Sequence, residues 1–210
     1  MIFLIFFAGK STWLLKLLQY REVLFDTKFD RILYYLPSNL QTAHSEYMEK
    51  LKLLCPQIEI FYGLPTPDET RTNFLPKLLL VDDQMTAILN SPNMEDFFTQ
   101  ISHHYNCSIF FTMQNYYSSG RSKTILRQCT YKIIFNDPGD RILIRNISCT
   151  VSPNSQFLSK CFTMLEERFP TDLHYLLIDT NPISPMKQMV VRSQIFPNTS
   201  GEIVPICFFP

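Results

Sequence analysis

Glycine is scarce in this 210-residue chain: it occurs five times, against 14 prolines, 18 phenylalanines and 10 tyrosines. That scarcity excludes collagen-like and glycine-rich linker architectures. Net charge is missing too, because 19 Lys and Arg balance 19 Asp and Glu. The balance excludes a histone-like polycation and leaves room only for a local basic groove. Charged residues make up 18% of the chain and hydrophobic ones 46%, which gives material for a sizeable core and excludes a disordered chain. The six cysteines, at positions 55, 107, 129, 149, 161 and 207, form no C-x-x-C pair and have no histidine at ligand spacing. A disulfide scaffold and a structural zinc site are therefore not expected, and thiols in a reducing compartment fit the pattern. The N-x-[ST] triplets at Asn106, Asn146 and Asn198 are of a kind common by chance. No apolar run is long enough for a membrane span. The run from Ile2 to Ala8 has no basic residue before it, so it reads as a buried strand, with a weak signal sequence as the alternative.

The length predicts one domain over residues 1–210, without internal repeats or low-complexity segments. Apolar residues Trp13, Leu14, Leu17, Leu18 and Leu24 have helical spacing and predict a helix from Ser11 to Leu24. Helices are likewise expected over Ala43–Leu54, Met94–His104, Ser122–Gln128 and Ser155–Phe169. Strands are expected at Arg31–Leu36, Ile58–Tyr62, Leu78–Val81, Ser108–Thr112, Tyr131–Phe135, Tyr175–Ile178 and Val190–Phe196, several of them closed by Pro, Gly or Asn. Strands that are apolar throughout and alternate with helices predict an α/β three-layer sandwich with a mostly parallel central sheet.

Three local signals carry chemistry. Gly9-Lys10-Ser11-Thr12 lies between an apolar strand and an amphipathic helix, the setting of a P-loop. There, backbone N–H groups and the helix N-terminus hold phosphates, the lysine neutralises them, and the Ser hydroxyl ligates Mg²⁺. Lys77-Leu78-Leu79-Leu80-Val81 ends in Asp82-Asp83. An acid at that place holds Mg²⁺ through water, so Asp82 is the candidate metal residue and Asp83 the candidate base; the alternative is a pair of acids opening a turn. The run from Ser108 to Thr112 leads into Met113-Gln114-Asn115. There a neutral amide can orient water or sense a γ-phosphate, or simply form a turn.

Taken in order, these runs resemble a family. Asp26–Leu36 (DTKFDRILYYL), Ile58–Pro65 (IEIFYGLP), Leu78–Gln84 (LLLVDDQ), Phe97–Asn115, Tyr131–Pro138 (YKIIFNDP) and Arg192–Pro197 (RSQIFP) look like viral DNA-packaging ATPases of the poxvirus type. These are FtsK/HerA-group P-loop NTPases that also occur in virus-like transposons and virus-derived genomic insertions. The resemblance spans roughly residues 9–197. It implies a P-loop NTPase sandwich, ATP and Mg²⁺ as cofactors, Gly9, Lys10, Ser11 and Thr12 on the nucleotide, and Ser11 and Asp82 on the metal. It further implies Asp83 as the base-like residue and Gln114 as the sensor. Implied partners are double-stranded DNA, a homo-oligomeric ring and capsid or portal-like components, in an intracellular setting (nucleus, cytoplasm or virion) and without a membrane.

The sequence departs from the family pattern at one place. Leu4 stands where the first glycine of a full Walker A motif would be, so the motif is incomplete and the N-terminus reads as truncated. The expectation is an ATP-driven DNA-translocating motor, and the alternative is a catalytically inactive virus-derived relative serving as a binding or assembly module. A ring motor needs an arginine supplied to its neighbour's phosphate. Arg121 and Arg127 are the candidates, with Arg141 and Arg145 further along. Tyr116–Lys123 (YYSSGRSK) is aromatic, flexible and basic, suited to a DNA backbone or to an ordinary solvated loop. His103-His104 reads as the end of a helix, where cations favour the dipole.

Overall fold

The structure is a computed structural model and describes residues 2–6, 9–40, 45–66, 69, 74–91, 106–113, 129–136, 139, 141–184 and 190–210. The predicted helices at Met94–His104 and Ser122–Gln128 lie outside these residues, as do His103, His104, Gln114, Arg121 and Arg127.

Six strands run parallel: β1 (Ile2–Phe6), β2 (Arg31–Leu36), β3 (Ile58–Tyr62), β4 (Lys77–Val81), β5 (Cys107–Met113) and β6 (Tyr131–Phe135). Three more, β7 (Tyr175–Asp179), β8 (Val191–Ser193) and β9 (Ile206–Phe208), extend the sheet antiparallel. The order across the sheet is β3-β2-β4-β5-β1-β6-β7-β8-β9. This is an α/β protein with a mostly parallel central sheet. Central strands bury both faces, which is why they read as unbroken apolar runs: Leu33 and Tyr34, Leu79 and Leu80, and Ile109 and Phe110 are neighbours in sequence, point to opposite faces, and are all buried.

Helix α1 (Lys10–Gln19) buries Trp13, Leu14, Leu17 and Leu18. Trp13 anchors it. The indole meets Phe110 of β5 at 6.1 Å, Tyr175 of β7 edge-on at 6.0 Å, and Phe196 at 5.2 Å between centroids. Aromatic pairs in such tilted and edge-on geometry add to plain area burial, so the start of α1 is fixed against three separate chain segments. The single helix expected over Ser11–Leu24 is in fact two. The chain turns at Tyr20 and resumes as α2 (Arg21–Leu24). The Arg21 guanidinium donates to the Leu18 carbonyl at 2.6 Å and to the Leu54 carbonyl at 3.3 Å. It thereby satisfies an orphan carbonyl at the end of α1 and ties it to the end of α3 (Ser45–Leu54).

Among the described residues, the elements not anticipated include α4 (Met85–Asn90), α5 (Arg141–Val151) and β9. Leu143, Ile144, Ile147 and Ser148 form the buried stripe of α5. The Ser148 hydroxyl joins it to α6 (Phe157–Arg168), donating to the Asn154 carbonyl at 2.9 Å and accepting from the Leu158 N–H at 3.3 Å. The last predicted strand is shorter than expected. It stops at Ser193 because Gln194 takes φ 54° and the Ile195 N–H turns to the Tyr175 hydroxyl at 2.9 Å. No disulfide joins the cysteines among the described residues. Burial pushes the thiols of Cys129 and Cys161 up to about 12, far from nucleophilic reactivity.

Candidate functional site

In an open parallel sheet, ligands bind beyond the carboxyl ends of the strands where the winding reverses. Here β1 leads across β5 and β4 to β2, while β5 leads the other way, past β1, to β6. The reversal lies at the β1–β5 pair, with β4 adjoining. Residues that follow β1, β4 and β5 therefore meet at one edge, and these are Gly9-Lys10, Asp82-Asp83 and the end of β5.

Gly9 caps α1 at φ 96°, without any side-chain hydrogen bond to the helix start. The first helical bond runs from the Trp13 N–H to the Gly9 carbonyl at 2.9 Å. The N–H groups of the first turn are thus presented to the edge of the sheet, where anions are favoured. A Cβ on Gly9 would lie 2.8 Å from Leu173 Cδ1 and 3.2 Å from Phe135 Cε1. Left-handed backbone and crowding together require glycine here. Gly9→Ala is expected to lower stability by about 1–3 kcal/mol, the cost of holding an L-residue in a strained region. Urea unfolding checks this, and Leu173→Ala in the same background should recover only part of the loss measured against Leu173→Ala alone, because it removes the contact but not the backbone strain. Full recovery would show that crowding alone dictates the glycine.

Lys10 is half-buried, and its ammonium donates to the Met113 carbonyl at the end of β5 at 3.3 Å. Desolvation holds its pKa below the ordinary lysine value, opposed by the negative charges of Asp83 and Asp82. Ser11 and Thr12 occupy the exposed face of the first turn of α1.

Asp82 is buried, only 9% exposed, and both of its oxygens are engaged. Thr112 of β5 donates to Oδ1 at 2.5 Å, and Tyr34 of β2 donates to Oδ2 at 2.6 Å. The same Thr112 oxygen accepts the Asp83 N–H at 2.8 Å, and Asp83 itself is exposed at φ 48°. Gln84, 4% exposed, donates from Nε2 to the Gly63 carbonyl at 2.8 Å, and the Gly63 N–H donates to the Leu36 carbonyl at 2.8 Å. The turn after β3 is thereby locked to the segment after β4.

The structure brings Gly9, Lys10, Ser11 and Thr12 to one edge with Asp82 and Asp83. Sequence reasoning missed Tyr34, Thr112 and Gln84. Thr112 and Gln84 carry only the signal of a polar side chain at or just beyond the end of an apolar strand, and Tyr34, inside β2, carries no such signal. Among the described residues no cluster of three or more His, Cys, Asp or Glu could hold a metal by itself. A divalent cation here would need oxygens from elsewhere, such as phosphates. The donor set fits that arrangement. A carboxylate has about four lone-pair sites, so Asp82 keeps acceptor capacity beyond its two donors. Across the edge stand a helix start without a side-chain cap and a lysine.

This chemistry, on a mostly parallel α/β sheet, defines a protein with a candidate phosphate-and-metal site at its switch point. No family model matches the chain, and no curated protein matches it. Among solved structures it is similar to the genome packaging NTPase B204 from Sulfolobus turreted icosahedral virus 2. In that protein's complex with ATP-gammaS the identity is 14%, covering 85% of this chain and 91% of that one, at TM-score 0.46. In its sulfate complex the identity is 13%, covering 86% and 91%, at TM-score 0.49. B204 from Sulfolobus turreted icosahedral virus, described as a DNA-packaging ATPase, is 12% identical over 85% of this chain and 92% of that one, at TM-score 0.48. Among the described residues no helix is long and apolar enough to cross a membrane.

Proposed function

We propose that this chain is a P-loop-type ATPase domain of the DNA-packaging motor kind, hydrolysing Mg·ATP to drive double-stranded DNA through a homo-oligomeric ring. One observation carries the reading: the Lys10 ammonium, at the start of α1, donates to the Met113 carbonyl at the end of β5, at the sheet edge where Asp82 and Asp83 follow β4. The motif order from Gly9 to Pro197 supports it. Lys10 and the first-turn N–H groups of α1 hold the phosphates, with the Ser11 hydroxyl and Asp82 on the metal side. A bound magnesium ion would supply charge neutralisation on the phosphate oxygens. Asp83 accepts the proton of the attacking water, and Gln114 orients that water. Water then attacks the γ-phosphorus in line, and the bond to the β-phosphate oxygen breaks to leave ADP and inorganic phosphate.

Charge developing on the transferred group calls for a cation from outside the subunit. Arg121 and Arg127 are the residues proposed to reach a neighbour's site. Mixing Arg121→Ala or Arg127→Ala subunits into wild type should then lower turnover more steeply than dilution, because each variant leaves its neighbour's site without a cation and a ring whose sites act in turn stalls at that site. Phosphate release against mixing ratio measures this. A linear fall for both variants excludes them as trans-acting arginines of a ring whose sites act in turn.

The function itself is tested by phosphate release in the presence of duplex DNA. Stimulation by DNA is expected, and Mg²⁺-independent or DNA-indifferent turnover argues against a motor. A second reading, an inactive virus-derived relative acting as a binding or assembly module, is favoured by one observation. Leu4 lies inside β1, paired with Phe111 and Lys132, so only Phe7 and Ala8 separate the strand from Gly9. Absence of any turnover, with DNA or capsid-component binding retained, selects it.

A further inference from the structure

We propose that Tyr34 is a positioning residue for the metal-side acid, and that a hydroxyl chain from Tyr47 through Tyr34 to Asp82 makes helix α3 part of the site's support. The proposal rests on the ATPase reading above and adds to it a means by which the packing of α3 sets the metal requirement.

The proton arithmetic fixes the direction of the chain. A phenol has one proton to donate. Tyr34 gives its proton to Asp82 Oδ2 at 2.6 Å. In its 3.2 Å contact with the Tyr47 hydroxyl, Tyr34 therefore accepts and Tyr47 donates. Each hydroxyl in such a chain polarises the next, which strengthens the bond to the carboxylate. Burial and the neighbouring Asp82 charge drive the Tyr34 pKa well above the ordinary phenol value, and burial raises that of Tyr47 as well. Both stay protonated donors throughout the working range.

Geometry gives the chain its purpose. Tyr34 and Thr112 approach Asp82 from β2 and β5, the two strands that flank β4. One donor on each oxygen restrains the carboxylate from rotating and leaves further acceptor capacity on both oxygens. Outer partners of this kind orient a metal-side carboxylate without touching the metal. Tyr47 is half-buried on α3, which packs against α1, the helix that carries Lys10. The lysine side and the acid side of the site are therefore joined through α3 as well as through the sheet.

The test compares wild type, Tyr34→Phe and Tyr47→Phe in phosphate release at several millimolar ATP, with free Mg²⁺ varied, alongside nucleotide binding without Mg²⁺. Tyr34→Phe keeps the ring and removes only the hydroxyl. It should raise the Mg²⁺ needed for half-maximal rate by roughly 10–100-fold, the usual effect of losing an outer-shell partner. Mg²⁺-free binding should stay within about twofold of wild type. Tyr47→Phe should shift the Mg²⁺ requirement the same way by about two- to threefold, the effect of one weak neutral hydrogen bond. If Tyr34→Phe does not fold, Tyr47→Phe carries the test, and an unmoved Mg²⁺ requirement overturns the proposal. An unmoved requirement in Tyr34→Phe, with wild type active, overturns the positioning role and leaves the ATPase reading standing. A wild type without any Mg²⁺-dependent turnover overturns both.

Discussion

Lys10→Ala is expected to lose nucleotide binding, while Asp83→Asn keeps the nucleotide and loses turnover. The difference follows from where each charge sits. Lys10 stands at the start of α1, with its ammonium at the end of β5 and the negative charges of Asp83 and Asp82 nearby. It is the cation available to a phosphate at that edge among the described residues. Removing it leaves two carboxylates facing a polyanion. Asp83 makes a different contribution. Its backbone is set by the N–H bond to Thr112, which Asn preserves, so the substitution removes only the carboxylate proposed to take the water's proton. Positioned general bases are worth roughly 10²–10⁴-fold in rate, and a fall of that size with unchanged binding is the expected result. Calorimetric titration and single-turnover phosphate release on both variants check it. Equal loss of binding in the two would contradict the role given to Asp83.

The second large effect concerns affinity. A micromolar nucleotide has about −8 kcal/mol of binding free energy. A full glycine-rich loop contributes several backbone donors to the phosphates. In this chain β1 continues to Phe6, and Leu4 is committed to ladder pairing with Phe111 and Lys132. Relative to a full loop, about two or three backbone donors to phosphate are expected to be missing. At roughly 1.5–3 kcal/mol for each hydrogen bond to a charged group, the loss is of order 3–9 kcal/mol. Lys10 and the α1 dipole do not replace that much. Mg·ATP is therefore expected to bind the 210-residue chain with millimolar affinity at best. Low-micromolar binding by titration calorimetry would show that other donors stand in for the missing loop.

Much of the fold was legible because local chemistry and tertiary structure agree. Arg31–Leu36, Ile58–Tyr62 and Tyr131–Phe135 are apolar runs closed by Pro37, by Gly63 and by Asn136, and the strands have those same bounds. Where elements depend on distant partners, the sequence was silent. The three residues of β9 are a strand only because Val191, Arg192 and Ser193 offer a ladder. Helix α5 mixes β-branched Ile, Thr and Val among its positions, which weakens its helical signature. At the break at Tyr20, Arg21 reaches across to the end of α3, a contact that no local pattern announces.

The site divides the same way. Gly9-Lys10 and Asp82-Asp83 could be found because each lies where a strand ends. Tyr34 could not, because its role depends on register. It pairs with Leu80, two residues before Asp82, and only that alignment, together with the length of a tyrosine side chain, brings its hydroxyl to the carboxylate. Thr112 looked like one more residue of an apolar strand. Its hydroxyl bonds to both acids, taking the Asp83 N–H and giving its proton to Asp82.

The claim that Lys10 and the Asp82-Asp83 pair form a nucleotide-hydrolysing site is tested most directly by phosphate release from the purified chain as Mg·ATP is raised through the millimolar range with duplex DNA present. The expected result is Mg²⁺-dependent turnover that half-saturates at millimolar ATP and disappears in Lys10→Ala. Turnover that survives Lys10→Ala, or none from wild type at any ATP concentration, would contradict it.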